Sequence, residues 1–191
     1  MATRTPRMLV SFAAVAWIVV GGYGIWEIVG EDSGDSWEIP YAIFSIALFL
    51  GTLLAVAAVW IASRHGERSP MRIVGLGVCV VAVLSTLVAW ALPLWMTLSA
   101  VGYVLVAAAG APPWRRAVTL LSAAQVLGIV ALFLGIAAEV GRQDEYGDHP
   151  AAFGIGTLVA AVATMGALVQ LDRSLDATAA VEQSQTSSVT M

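Results

Sequence analysis

The chain has 191 residues, of which 59% are hydrophobic and only 12% charged, and its net charge is −4. A soluble domain carries about a quarter charged residues, so this composition excludes an ordinary soluble protein. No basic patch exceeds Arg115-Arg116 or the spread Arg64, Arg68 and Arg72, which argues against nucleic acid as a partner.

Six apolar segments, each roughly 18–22 residues long, are separated by short clusters of charge, and this is about the length that crosses a bilayer. They cover residues 8–29, 41–62, 73–91, 94–111, 117–138 and 151–171. An extended backbone in lipid has no water to bind, so each segment is predicted to be helical. We therefore expect an all-α integral membrane protein, with a six-helix transmembrane domain over residues 1–175.

The tail over residues 176–191 is rich in Ser, Thr, Gln and Ala, and it has too little apolar surface to pack. We expect this tail to be disordered in the cytoplasm.

The arginines indicate the orientation of the bundle. With the N-terminus inside, eight of the nine arginines are cytoplasmic and only Arg142 is outside, which fits the positive-inside rule. We therefore expect a multi-pass protein of the cell (plasma) membrane, with both termini in the cytoplasm. The expected external acids are Glu31, Asp32, Asp35, Glu38, Asp144, Glu145 and Asp148. The aromatic residues expected at the outer interface are Tyr41, Trp90, Trp95 and Tyr146, with Trp60 and Trp114 at the inner one.

A weak internal repeat relates the first two spans to the last two. An offset of 110 residues aligns Asp35 with Glu145, Glu38 with Asp148, and Pro40 with Pro150. Both hairpins run in the same direction, so a true repeat would be a rotation about the membrane normal. Coincidence among acids and prolines is the alternative interpretation.

Two helix faces form the candidate binding site, an outer vestibule lined by Glu27, Glu139, Gln125 and Trp17. The fifth span carries Gln125, Gly128, Leu132, Gly135 and Glu139 on one face, and the first span carries Trp17, Val20, Gly24 and Glu27. Glycines on these faces allow close helix contact, which directs the faces towards the bundle. The alternatives are glutamates that snorkel to the interface and an interhelical hydrogen bond for Gln125.

Sequence motifs for catalysis and for cofactor or metal binding are absent. Cys79 is the single cysteine, and His65 and His149 are expected on opposite sides of the membrane, so no two-histidine site can form. No lysine is present, which excludes a Schiff-base cofactor. We expect no enzyme activity, no cofactor and no dedicated metal site. The acidic outer loops could attract a cation, but their order is not that of a calcium loop, and a solvated acidic face is the alternative.

Two classes of function remain open. The first is a small transporter, or its membrane-embedded solute-binding subunit, that takes a cation or a cationic small solute. The predicted topology, six helices in about 190 residues with both ends inside, is similar to that of the vitamin-binding S components of energy-coupling-factor transporters. That resemblance covers span count and orientation only, since Ala13-x-x-Ala16 is not the alanine pattern of that family. The second class is a non-catalytic accessory protein that binds another membrane protein through Gly156, Ala160 and Thr164 in the sixth span.

The arginine distribution generates a testable topology. A reporter fused to the C-terminus should be active only in the cytoplasm, and a C-terminal epitope should be inaccessible to antibody on intact cells. Fusions after residues 34 and 145 should report an external position. An accessible C-terminal epitope would mean an odd number of spans.

Overall fold

The computed structural model describes residues 4–29, 38–63, 69–87, 92–110, 114–140 and 150–189, and this part of the chain forms six α-helices without strands. The helices are α1 (Arg4–Val29), α2 (Glu38–Ser63), α3 (Pro70–Ser85), α4 (Leu92–Ala108), α5 (Trp114–Val140) and α6 (Pro150–Val189). The expected all-α class is confirmed, and each helix overlaps one apolar segment of the sequence.

Four helices are long and apolar enough to cross a membrane. Their apolar stretches are Thr5–Val29, Pro40–Ser63, Trp114–Ala138 and Ala152–Ala177. Helices α3 and α4 have 16 and 17 residues, so each is only about 24–26 Å long against a core of about 30 Å. A helical membrane protein is thus supported, while the six-span count and the orientation stay predictions.

Helix α3 ends at Ser85, earlier than residue 91 where the apolar segment ends. The Ser85 Oγ donates to the Ala82 carbonyl at 2.7 Å and the Thr86 Oγ1 donates to the Val83 carbonyl at 2.6 Å. Hydroxyl groups that bond the backbone in this way compete with the helical hydrogen bonds. The two polar residues therefore mark the end of α3 within an apolar stretch.

The helices form a closed ring in which each packs on its neighbours in the chain and α6 packs on α1. Helix α6 lies between α1 and α5, and it approaches both of them at small residues. A Cβ atom on Gly154 would lie 2.6 Å from the Gly24 carbonyl oxygen, and a Cβ on Gly128 would lie 2.6 Å from the Cβ of Ala160. Side chains larger than these would force the helices apart.

The outer surface of the ring is apolar, as a lipid-facing surface must be. Phe12, Ile18, Phe133, Leu134 and Val162 are each more than half exposed. An exposed apolar surface that surrounds the whole bundle is suited to contact with a lipid bilayer.

Ion pairs join α1 and α6 at the end of the bundle where α1 begins. The Arg7 guanidinium lies 3.1 Å from an Asp172 oxygen and 2.9 Å from an Asp176 oxygen. All three side chains are substantially exposed, so the pairs stabilise the fold only slightly. Helix α6 continues to Val189, beyond the expected end at residue 171, because Ala, Glu and Gln extend an existing helix readily. The disorder expected for residues 176–191 stays a prediction.

The close contact at Gly128 generates a prediction about stability. Gly128→Leu should destabilise the protein by about 2–4 kcal/mol, since the new side chain meets Ala160 and the Gly156 backbone. Gly166→Leu is the matched control, because a Cβ there meets nothing within 4 Å and should change stability by less than about 0.5 kcal/mol. Thermal unfolding in detergent measures both, and equal shifts would contradict the close packing.

Candidate functional site

Trp17 lies at the middle of α1 and is only 2% exposed. Its ring packs against Trp95 of α4, with ring centroids 6.1 Å apart and planes inclined at 45°. On its other side the indole contacts α2, where a Cβ on Gly51 would come within 3.2 Å of the Trp17 Nε1. Trp17 therefore connects three helices across the interior of the ring.

Trp95 was expected at the outer interface, and its depth in a membrane stays a prediction. The structure shows its side chain buried inside the bundle, with 2% exposure. The contacts of α4 give its position along the bundle axis. Met96 lies beside Gly128 of α5, only four residues from the start of α4, whereas α5 continues for twelve residues beyond Gly128. At about 1.5 Å per residue, the start of α4 lies roughly 12 Å short of the C-terminal end of α5 along the bundle axis.

Gln125 lies near the middle of α5 and is buried. Its Nε2 donates a hydrogen bond of 3.1 Å to the Oγ1 of Thr164 in α6, which is the interhelical bond considered in the sequence analysis. The Gln125 Oε1 is buried and has no hydrogen-bond partner among the described residues. The amide is therefore only half satisfied.

Five buried polar atoms, each without a hydrogen-bond partner in the described part of the chain, occupy this interior. They are Trp17 Nε1, Trp95 Nε1, Ser99 Oγ, Gln125 Oε1 and Thr157 Oγ1. We call these five residues the polar layer. Sequence analysis found Trp17 and Gln125 and missed the other three.

Contacts between helices place Ser99 and Gln125 of the polar layer at a similar depth. The Ser122 Oγ donates to the Ala100 carbonyl at 2.9 Å, so Ser99 of α4 and Gln125 of α5 lie at about the same level. Thr157 is two helical turns from the Thr164 that Gln125 bonds, so it lies on the same face of α6 but about 10 Å further along the helix. Trp17 joins the layer through its contact with Trp95.

Glu27 lies about 15 Å from Trp17 along α1, towards the C-terminal end of the helix, and it is half-buried. The Tyr23 hydroxyl donates a hydrogen bond to its Oε1. Tyr23 itself stacks on Phe44 of α2 at 4.3 Å and meets Phe153 of α6 edge-on at 6.4 Å. The Glu27 carboxylate is thus held by an aromatic cluster that joins α1, α2 and α6.

The glycine-bearing faces of α1 and α5 do not face each other directly. Gly24 packs on Gly154 and Leu158 of α6, and Gly128 and Gly135 pack on the same helix from its other side. The backbone of Glu139 belongs to α5, and its side chain lies outside the described residues. An outer vestibule shared by Glu27 and Glu139 stays a prediction.

Most of the acidic outer face lies outside the described residues, including Glu31, Asp32, Asp35, Asp144, Glu145 and Asp148. Within the described ranges, no three His, Cys, Asp or Glu side chains lie close enough together to hold a metal ion. Cys79 is fully buried beside Gly102 of α4.

No protein-family model, no curated protein and no solved structure matches this chain. The likeness to the S components therefore stays one of span count and orientation. The site has to be interpreted from its own chemistry.

The outer carboxylates generate a prediction about cation binding. Two nearby carboxylates repel, so Glu27→Gln with Glu139→Gln should keep or raise stability without ligand and abolish any thermal shift caused by Mg²⁺, Ca²⁺ or an organic amine. Asp176→Asn removes an acid from the inner end and should leave that shift unchanged. Additive effects of a few tenths of a kcal/mol, independent of added cation, would contradict a shared vestibule.

Proposed function

We propose that the protein is a small membrane transporter, or the membrane-embedded solute-binding subunit of one, and that it binds a small polar solute at the polar layer. The observation that carries this proposal is the set of five buried polar atoms without partners. Solute sites of many transporters lie near the bilayer midplane, and Trp17 and Gln125 lie near the middle of their helices.

The free-energy cost of burying these atoms without hydrogen-bond partners supports a role in binding. A buried polar group without a partner costs about 1–3 kcal/mol, and more than one such group in a single layer is expensive in an apolar bundle. Native proteins keep costly arrangements of this kind mainly at functional sites. A bound solute that satisfies several of the atoms would recover part of that cost.

The atoms in the polar layer define the class of solute. The indole nitrogens of Trp17 and Trp95 only donate, the Gln125 Oε1 only accepts, and the hydroxyls of Ser99 and Thr157 do both. The solute must therefore carry hydrogen-bond acceptors as well as donors. The layer contains no charged residue, the tryptophan faces attract cations, and the expected outer acids repel anions. A neutral or positively charged organic solute fits best.

The outer side is the favoured entrance to the layer. Because α4 begins roughly 12 Å below the end of α5, the four long helices extend past the α3–α4 pair on that side. A solute entering there passes the aromatic cluster around Tyr23 before it reaches Trp17 and Trp95. Opening for the solute then requires movement of α4 relative to α1, since the two tryptophans are in contact.

An accessory role through α6 has less support. The small residues that suggested it are already in contact with α5, because Gly156 packs on Leu132, Ala160 packs on Gly128, and Thr164 accepts the Gln125 hydrogen bond. Within the described residues, this face of α6 serves packing inside the chain.

Thr157→Val tests the proposal through the sign of its effect on stability. Valine has nearly the same shape and removes an unpartnered hydroxyl, so the ligand-free variant should be more stable by about 1 kcal/mol. A panel of amines, amides and polyols at millimolar concentration is first screened for compounds that raise the melting temperature of the unmodified protein. Thr157→Val should lose the shift that those compounds produce.

Thr97→Val is the matched control for that experiment. Thr97 lies on α4, is exposed, and already donates to the Pro93 carbonyl at 2.6 Å. Thr97→Val should change stability by less than about 0.5 kcal/mol and should leave the response to solute unchanged. A loss of stability in Thr157→Val, with an unchanged solute response, would instead identify the polar layer as structural.

A further inference from the structure

A groove of about 320 Å³ lies between α2 and α3, at the end of the bundle where α2 finishes and α3 begins. One end of the groove is lined by Trp60, Ser63 and Arg72. The rest is apolar and runs along α3 past Leu76 and Gly77 to Val80. The groove is independent of the polar layer and shares no residue with it.

The groove is polar at the end of α3 and apolar towards its middle. Arg72 lies in the first turn of α3, and its Nη1 donates a hydrogen bond to the Ser63 carbonyl of α2, which holds the guanidinium at the groove entrance. Val80 lies eight residues further along α3, or about 12 Å. In the sequence, residues 64–72 contain three arginines and a single glutamate, so this stretch has a net positive charge.

Helices α2 and α3 leave this space because they touch over a shorter stretch than the other neighbouring pairs of the ring. Gly77 lies in the groove, and a Cβ on it would meet nothing within 4 Å. A volume of about 320 Å³ is too small for a partner helix, which is about 10 Å across, over this length of α3. An extended hydrocarbon chain beside a charged headgroup has the matching shape and polarity.

We propose that this groove binds one anionic phospholipid, with its phosphate at Arg72 and one acyl chain along Leu76, Gly77 and Val80. Basic pockets between helices at the cytoplasmic surface attract anionic headgroups, and an arginine recognises phosphate through paired hydrogen bonds. Trp60 is about half exposed and lies three residues before the end of α2, and tryptophan near the end of a membrane helix contacts lipid headgroups. A lipid bound in the groove would contact both α2 and α3 and so stabilise this pair, which otherwise touches over a short stretch.

Thermal unfolding of the detergent-solubilised protein tests this proposal. Adding phosphatidylglycerol at roughly ten times its Kd should raise the melting temperature by about 3–5 °C, and phosphatidylcholine should not. Native mass spectrometry should show a single retained phosphatidylglycerol. Arg72→Gln should abolish both effects by removing the charge, and Gly77→Leu should abolish them by filling the groove.

Two control variants distinguish lipid binding in the groove from the loss of any positive charge and from the addition of any large side chain. Arg173→Gln removes the same charge from an exposed position on α6, and Gly166→Leu adds the same side chain where it meets no neighbour. Both should keep the full response. An unchanged response in Gly77→Leu, an equal loss in Arg173→Gln, or the same shift from inorganic phosphate alone would each overturn the proposal. Gly77→Leu keeps the test decisive if Arg72→Gln fails to fold.

Discussion

The close approach of α6 to α1 and α5 is the constraint on which the rest of the bundle depends. Apolar side chains gain nothing by leaving lipid for another apolar surface, so helices in a membrane associate through tight packing and polar contacts. Gly24 meets Gly154 on one side of α6, and Gly128 meets Ala160 on the other. These contacts bring the backbones together and close the ring between the first helix and the last.

The same contacts fix the depth of the polar residues. With Gly128 beside Ala160, Gln125 is in register to bond Thr164, one helical turn further along α6. Gly128 also contacts Met96, which sets the level of α4 and carries Trp95 inward to Trp17. The polar layer is therefore a consequence of where small residues allow helices to approach.

Sequence patterns predicted the helices well, because an apolar segment of membrane-spanning length has few alternatives to helix. Helix α1 ends at Val29, where the apolar segment ends, while α3 stops early at Ser85. Ser85 and Thr86 form hydroxyl–backbone bonds at that end, but Ser174 forms one inside α6 without ending it, so such residues do not by themselves predict where a helix stops. The sequence pattern did not reveal that Trp95 is buried against Trp17, because the level of α4 depends on the contact between Met96 and Gly128.

The candidate site was predicted in part. Trp17 and Gln125 were identified because a large aromatic residue and an amide are conspicuous in an apolar helix, whereas Ser99 and Thr157 resemble the many small residues that satisfy themselves by bonding their own backbone. Thr157 and Thr164 are seven residues apart on α6, and this spacing in the sequence could have indicated a polar helix face. Whether a polar atom lacks a partner depends on the neighbouring helices, and no pattern within one helix contains that information.

The short α3–α4 pair has a consequence for the electrical environment of the interior. A hydrophobic stretch shorter than the bilayer makes the surrounding lipid thin or lets water reach deeper beside it. In the six-span topology predicted from the sequence, the membrane voltage would fall across a thinner insulating layer near Ser99 and Trp95 than beside α5. Moving one charge through the full voltage changes its free energy by about 2.3 kcal/mol per 100 mV. A positively charged solute that reaches the polar layer from outside would cross only part of that drop.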